Sequence, residues 1–201
     1  MKIVVLASGG IDSALMMYLF KKEGHEVLPL HINYNQLAEN HEWESCKALC
    51  DFFSLEPFKM DITGFGKLPS GLTNSDLDVY KDAFLPTRNL TFITLASAYA
   101  YSKSTNMVAI GLLANPIFPD QTKEFIQKAQ ISISESLGKP IKILTPLIDL
   151  DKRDVLKLAI EYNIPKITYF CHSGTDVPCG RCVSCKERFA AESALNSKNQ
   201  T

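Results

Sequence analysis

At 201 residues the chain is long enough for one domain with its own core, and 46% hydrophobic against 21% charged residues is an ordinary globular composition. No apolar run approaches the roughly eighteen residues that span a bilayer. Lys+Arg 21 against Asp+Glu 22 leaves a net charge of −1, with no basic surplus for gripping a long nucleic acid. Small-molecule substrates are therefore expected, with no membrane and no direct long nucleic-acid partner.

Residues 2–7 form a short β-branched run that reads as a buried parallel strand rather than a signal peptide. Ser8-Gly9-Gly10-Ile11-Asp12-Ser13 follows and opens an apolar-periodic helix over 13–22. Strand, glycine turn and helix together aim backbone N–H groups and the positive end of a helix at one point, which makes an anion site beside Ala7. Gly9 and Gly10 let a phosphate approach without a Cβ in the way. Ser8 and Ser13 supply hydroxyl donors, and Asp12 holds the loop or a magnesium ion. The stretch lacks the Gly-Lys-Ser/Thr ending of a Walker loop and the Gly-x-Gly-x-x-Gly spacing. Its competing reading is a Gly-Gly turn with no ligand.

Strand-like runs continue at 25–32, 55–61, 107–112 and 141–145, and helix-like runs at 41–53, 89–102, 122–136 and 151–162. Gly24 suits the position just beyond the first helix, and Asp151 with Asp154 reads as a capped helix start. This alternation predicts an α/β, Rossmann-like fold: a parallel five-stranded sheet with helices on both faces. Ligands in such sheets bind beyond the carboxyl ends of the strands, where the glycine loop lies. Residues 63–85 carry Gly, Pro, Ser, Asn and Asp without periodicity and read either as an active-site lid or as a surface excursion. The division expected is 1–165 for the nucleotide domain, 166–195 for a cysteine-rich segment packed on it, and 196–201 for a frayed tail.

Cys171, Cys179, Cys182 and Cys185 have the spacing C-x7-C-x2-C-x2-C. Tight Cys-x-x-Cys turns point two thiolates at one metal, and four thiolates close a tetrahedral zinc shell with no open position, a structural zinc knot. An iron–sulfur cluster is the rival, and free or redox cysteines a third reading. His172 stands beside the set without being required by it. Cys46 and Cys50, one helical turn apart, read as small core residues. Six cysteines without a secretory signal read as reduced thiols in the cytoplasm.

The Ser-Gly-Gly-x-Asp-Ser loop resembles the PP-loop of the ATP pyrophosphatases, whose fold is the adenine nucleotide alpha hydrolase type. Joined to a C-terminal four-cysteine knot, it is similar to the 7-cyano-7-deazaguanine synthase family of queuosine precursor synthesis. The resemblance covers most of the chain. Tyr34 and Gln36 resemble the start of that family's Tyr-Gly-Gln-Arg-His stretch, and Leu85-Pro86-Thr87-Arg88-Asn89 its Val-Pro-Gly-Arg-Asn segment. Phe118-Pro119-Asp120 resembles Tyr-Pro-Asp, while Pro146-Leu147-Ile148-Asp149-Leu150 with Lys152, and Pro178-Cys179-Gly180-Arg181-Cys182 with Cys185 and Arg188, match directly. Asn35 and Thr87 stand where the family has Gly, Leu37 replaces its Arg, His41 stands for its His after an insertion, and Gln121-Thr122 replace Cys-Arg.

The resemblance implies conversion of 7-carboxy-7-deazaguanine, ammonia and ATP into 7-cyano-7-deazaguanine by way of an adenylated carboxylate and an amide, with magnesium accompanying ATP and a homodimer as the assembly. It implies Ala7, Ser8, Gly9, Gly10, Asp12 and Ser13 for the phosphates, and the backbone at Leu30 and Ile32 for adenine. Asp12, Arg88 and Lys152 are the implied catalytic groups, and Tyr34, Gln36, Arg88, Asn89 and Asp120 the substrate contacts. Plainer readings stand beside these: Arg88 in a surface ion pair, Lys152 as ordinary helix surface, Asp120 as a cap for the 122–136 helix, and His31 and His41 as structural. Three other functions compete. They are a tRNA-modifying PP-loop enzyme, a defence-associated relative passing a deazaguanine to another amine or protein, and a nucleotide-binding module without turnover.

Overall fold

A computed structural model describes residues 1–198 of the chain. Five strands, β1 (Lys2–Leu6), β2 (Glu26–Asn33), β3 (Phe58–Asp61), β4 (Met107–Ala109) and β5 (Lys142–Leu144), form one sheet in the order β3-β2-β1-β4-β5. Every pairing is parallel, with Val4 opposite both Leu28 and Val108. The helices are α1 (Ile11–Lys22), α2 (Glu39–Phe53), α3 (Arg88–Ser102), α4 (Lys123–Leu137), α5 (Lys152–Glu161) and α6 (Val183–Lys198).

The period of two in β1 sorts its side chains onto opposite faces. Ile3 and Val5 enter a core with Leu15 and Met16 of α1, Leu49 of α2 and Val155 of α5. Val4 enters a second core with Ile93 and Ala96 of α3 and Ile126 and Ile133 of α4. Parallel strands covered on both faces have no wet side, which is why β1 reads as an unbroken apolar run. Strands are added first on the β2 side of β1 and then on its β4 side, so the connections part at β1 and leave a crevice there.

The expected helix boundaries hold to within one or two residues. Gly24, at φ +79°, follows α1 directly, and Asp151 and Asp154 exchange backbone bonds as a capping box. Three features differ from expectation. First, α6 follows the cysteines at once and places Cys185 in its first turn, and it reaches Lys198, so residues 196–198 are helical. The rest of the expected tail lies outside the described residues. Second, β4 and β5 have only three residues each.

Third, residues 63–85 are neither lid nor loose excursion. A 3-10 turn (Thr63–Lys67) opens the segment, and Gly66 presses on the Tyr34 backbone so closely that a Cβ there would lie 2.0 Å from the Tyr34 carbonyl oxygen. Leu72, Ala83 and Leu85 pack with Tyr34, and Leu37 N–H donates to Leu72 O (2.8 Å). Val79 packs against Cys171, Cys182 and Cys185. Apolar burial at both ends braces the turn after β2 against the cysteine knot.

Candidate functional site

The crevice at the end of β1 is a cleft of about 260 Å³. Ala7, Ser8, Asp12 and Ser13 line it from the glycine loop, and Leu30 and Ile32 from β2. Tyr34 and Gln36 line it from the turn beyond, and Arg88 and Asn89 from the start of α3. Ten residues expected from the sequence thus share one wall. Gly9 and Gly10 lie beneath it, while Lys152 and Asp120 stand outside it.

The loop owes its shape to contacts that leave no room for side chains. Gly9 has φ +83°, and a Cβ on it would meet Glu42 O at 2.4 Å and Cys46 N at 2.9 Å, so α2 packs directly on the loop. Ser45 of α2 donates to Gly9 O (2.8 Å), and Tyr169 N–H donates to the same carbonyl (3.1 Å). Ser13 Oγ donates to Gly10 O (2.9 Å), which keeps that hydroxyl in the turn. No side chain caps α1, so its first-turn N–H groups, which have no partner within the helix, face the cleft with the helix dipole behind them.

Asp12 in the first turn of α1 is held by Lys152 at the start of α5, with Nζ 2.8 and 2.7 Å from its two carboxylate oxygens. Lys152 therefore reaches the cleft through Asp12 and is not plain helix surface. Arg88 is half-buried on the cleft wall and belongs to none of the ion pairs among the described residues, so its charge is available to an anion. Burial pushes the Tyr34 phenol up to about 12, with the Arg88 charge opposing, so it stays a neutral donor.

Two expected substrate contacts are spent elsewhere. Asp120 takes no part in the cleft and does not cap α4, whose cap is Thr122. Its Oδ2 accepts from Asn89 N (3.2 Å) and its Oδ1 from Asn89 Nδ2 (3.0 Å), so it anchors the first turn of α3 and sets Arg88 beside it. Gln36 is buried, accepting from Tyr34 N (2.9 Å) and donating to Glu42 Oε2 (2.9 Å). His31 and His41 are both held by protein contacts, although His31 also lines the cleft. His31 is buried between Ala7 O (3.0 Å) and Glu39 Oε2 (3.1 Å). His41 stacks on Tyr169 with ring centroids 4.7 Å apart.

Sequence reasoning missed Glu42, Phe92 and His172 on the cleft wall. His172 is the residue after a cysteine, and only the fold of the knot carries it to the phosphate loop. Burial and the charges of Arg88 and Lys152 lower its pKa to about 4, so its ring is neutral, and its buried Nδ1 has no hydrogen-bond partner.

The four sulfurs of Cys171, Cys179, Cys182 and Cys185 all lie within 4.8 Å of one another. A tetrahedron with Zn–S bonds of about 2.3 Å places its sulfurs about 3.8 Å apart, so the set fits one zinc ion. A four-iron cluster, whose cysteines bind separate irons, needs them farther apart. Backbone N–H groups already donate to sulfur, Cys179 N to Cys171 Sγ (3.3 Å), Cys182 N to Cys179 Sγ (3.4 Å) and Cys185 N to Cys182 Sγ (3.3 Å). Burial pushes the Cys179 thiol up, but bonds from Ser173 and from the N–H groups of Arg181 and Cys182 outweigh it and bring it down to about 6. Four sulfurs fill the shell, so a metal there would hold the fold and offer no site to substrate. Cys46 and Cys50 are buried in the core beneath α2, as expected.

A family model described as queuosine biosynthesis protein QueC matches residues 2–196. The chain belongs to this family. The 7-cyano-7-deazaguanine synthase of Nautilia profundicola is 34% identical over 203 residues, spanning 93% of this chain and 91% of that one. The enzyme of the same name from Campylobacter jejuni subsp. jejuni serotype O:6 is 33% identical over 216 residues, spanning 99% and 96%. Among solved structures, a predicted subunit of a tRNA methyltransferase from Methanocaldococcus jannaschii superimposes with a TM-score of 0.60 at 17% identity, covering 80% of this chain and 76% of that one. A 4-thiouridine synthetase in complex with RNA and ATP gives 0.52 at 18% identity, covering 97% and 50%. These two show that this member of the QueC family shares their fold.

Three outcomes test the site. Gly9→Ala, which drives a methyl group into α2, is expected to weaken ATP binding at least tenfold in calorimetry and to lower the melting temperature. Asp120→Ala strands two donors of Asn89 and is expected to cost about 1–3 kcal/mol in urea unfolding. Metal analysis is expected to find one zinc per chain, released by chelators and by acid as thiolates protonate, with a matching fall in melting temperature.

Proposed function

We propose that this protein makes 7-cyano-7-deazaguanine from 7-carboxy-7-deazaguanine, ammonia and ATP, in the cytoplasm, where its free thiols stay reduced. What carries the reading is the cleft: a phosphate loop and an unpaired arginine face one another in a chain similar over its whole length to synthases of that name.

A carboxylate resists ammonia because oxide is a poor leaving group. Transfer of AMP to a carboxylate oxygen, with pyrophosphate leaving, converts it to a mixed anhydride. Ammonia attacks that carbonyl carbon and AMP departs with the oxygen, giving the amide. A second adenylation, now on the amide oxygen, makes that oxygen leave as AMP, and loss of both N–H protons gives the nitrile. Each step gains from fixed positive potential around the α-phosphate more than from a protein nucleophile.

The first-turn N–H groups of α1 and the Ser8 hydroxyl are assigned to the phosphates. Arg88 is assigned to the α-phosphate and the substrate carboxylate, where charge accumulates. Asp12 is the carboxylate placed to hold magnesium, which would screen the phosphates, and Lys152 fixes its orientation. Leu30, Ile32 and Phe92 offer an apolar slot for a base, with the Leu30 carbonyl itself taken by Ala7 N–H (2.8 Å). Tyr34 and Asn89 are assigned to the deazaguanine.

Hydroxylamine traps an acyl adenylate as a hydroxamate, so ATP-dependent hydroxamate formation from 7-carboxy-7-deazaguanine tests the first half of the reaction directly. Lys152→Ala, which frees Asp12, is expected to lower that rate about 10–100-fold, the usual scale for loss of a positioning contact. No hydroxamate from the wild-type protein would overturn the reading.

A further inference from the structure

We propose that Glu42 is the ammonia-site residue, the group that receives an ammonium ion in the cleft and takes the proton that turns it into a nucleophile. This deepens the function proposed above and rests on it. Glu42 stands in the first turn of α2, the turn pressed onto Gly9, and its side chain lines the cleft with Arg88 and the glycine loop.

Charge is the first argument. Asp12 is neutralised by Lys152 and Glu39 by Lys59 and His31. Glu42 belongs to no ion pair among the described residues, yet it borders a site built for phosphates. A half-buried carboxylate in that position works against ATP unless a cation or proton donor joins it. Ammonium is the one such cation that the reaction consumes.

Orientation is the second. Gln36 gives its whole amide to this carboxylate's surroundings: Oε1 accepts from Tyr34 N, and Nε2 donates to Glu42 Oε2 and, at 3.4 Å, to Ile32 O. One carboxylate oxygen is thereby fixed. Burial raises the carboxyl above its ordinary range, against the opposing Gln36 bond and the charges of His31 and Arg88, which makes it a stronger proton acceptor.

The step balances as follows. Ammonium gives one proton to the Glu42 carboxylate, and the freed nitrogen lone pair forms the C–N bond to the acyl adenylate. The C–O bond to AMP breaks, its electron pair leaving on the phosphate oxygen. The nitrogen, still carrying three hydrogens, loses one to water, leaving the neutral amide, and Glu42 returns its proton to solvent.

Hydroxylamine separates this role from every other, because it is uncharged at neutral pH and needs no base. In Glu42→Gln, hydroxamate formation is expected to fall no more than about threefold, while amide and nitrile formation with ammonium chloride falls about 100-fold or more, the scale of a lost general base. Glu42→Asp, which keeps a carboxylate, should recover part of the ammonium-dependent rate. Parallel loss of both products in the two variants, as expected of a magnesium ligand or a purely structural residue, overturns the proposal, and so does loss of neither. Absence of hydroxamate with the wild-type protein is the separate result that removes the functional reading itself.

Discussion

The carbonyl of Gly9 is the point on which this structure turns. It accepts the Ser45 hydroxyl from α2 and the Tyr169 N–H from the segment that leads into the cysteine knot. Two elements far along the chain from Gly9, and far from each other, thereby close on one glycine, and the contact is tight enough to exclude a Cβ. A buried carbonyl must be paired, and pairing this one fixes the phosphate loop, the first turn of α2 and residues 167–172 as a unit. The knot lines none of the cleft with its sulfurs, but it holds the glycine loop that does. That is a reason for a small domain to keep a four-sulfur site so far along the sequence from its nucleotide loop.

The electrostatics of the cleft follow from the same geometry. Helix α1 starts without a side-chain cap, which is poor for an isolated helix and useful for one that binds an anion. Asp12 sits at that start and is compensated by Lys152 from α5 across the loop. Arg88 has no such partner among the described residues, and Asp120 spends both carboxylate oxygens on Asn89. The arrangement leaves the unpaired Arg88 charge and the Glu42 carboxylate on the wall of one cleft.

The departures from the family pattern are mostly backbone matters. Asn35 and Thr87, which the resemblance sets where the family has Gly, both hold positive φ, +66° and +62°. Asn tolerates that region, and the Asn33 side chain accepts from Asn35 N (2.9 Å). The β-branched Thr87 bears real strain there, on the order of 1–3 kcal/mol, at the N-cap of α3 beside Arg88. Gln121 ties the turn before α4 by accepting from Ile117 N and Phe118 N, and Thr122 caps that helix. None of these four side chains lines the cleft.

The sequence by itself determined the sheet, its helices and the two motifs. Period-two and period-3.6 patterns are local, and the glycine loop and Cys-x-x-Cys turns work through neighbours a few residues apart. It also named Arg88 and Lys152 as cations of the site. It could not show that Asp120 and Gln36 are consumed by Asn89, Tyr34 and Glu42, because hydrogen-bond saturation depends on contacts between distant segments. The 63–85 segment carried no period, since its shape comes from burial against Tyr34 and the cysteines rather than from its own repeat. Helix α6 was masked by the cysteines at its start, although Ala190, Ala191, Ala194 and Leu195 are strong helix formers. His172 and Glu42 became cleft residues only when the Gly9 contacts folded the knot and α2 onto the phosphate loop, a decision made by tertiary packing between segments that share no local signal.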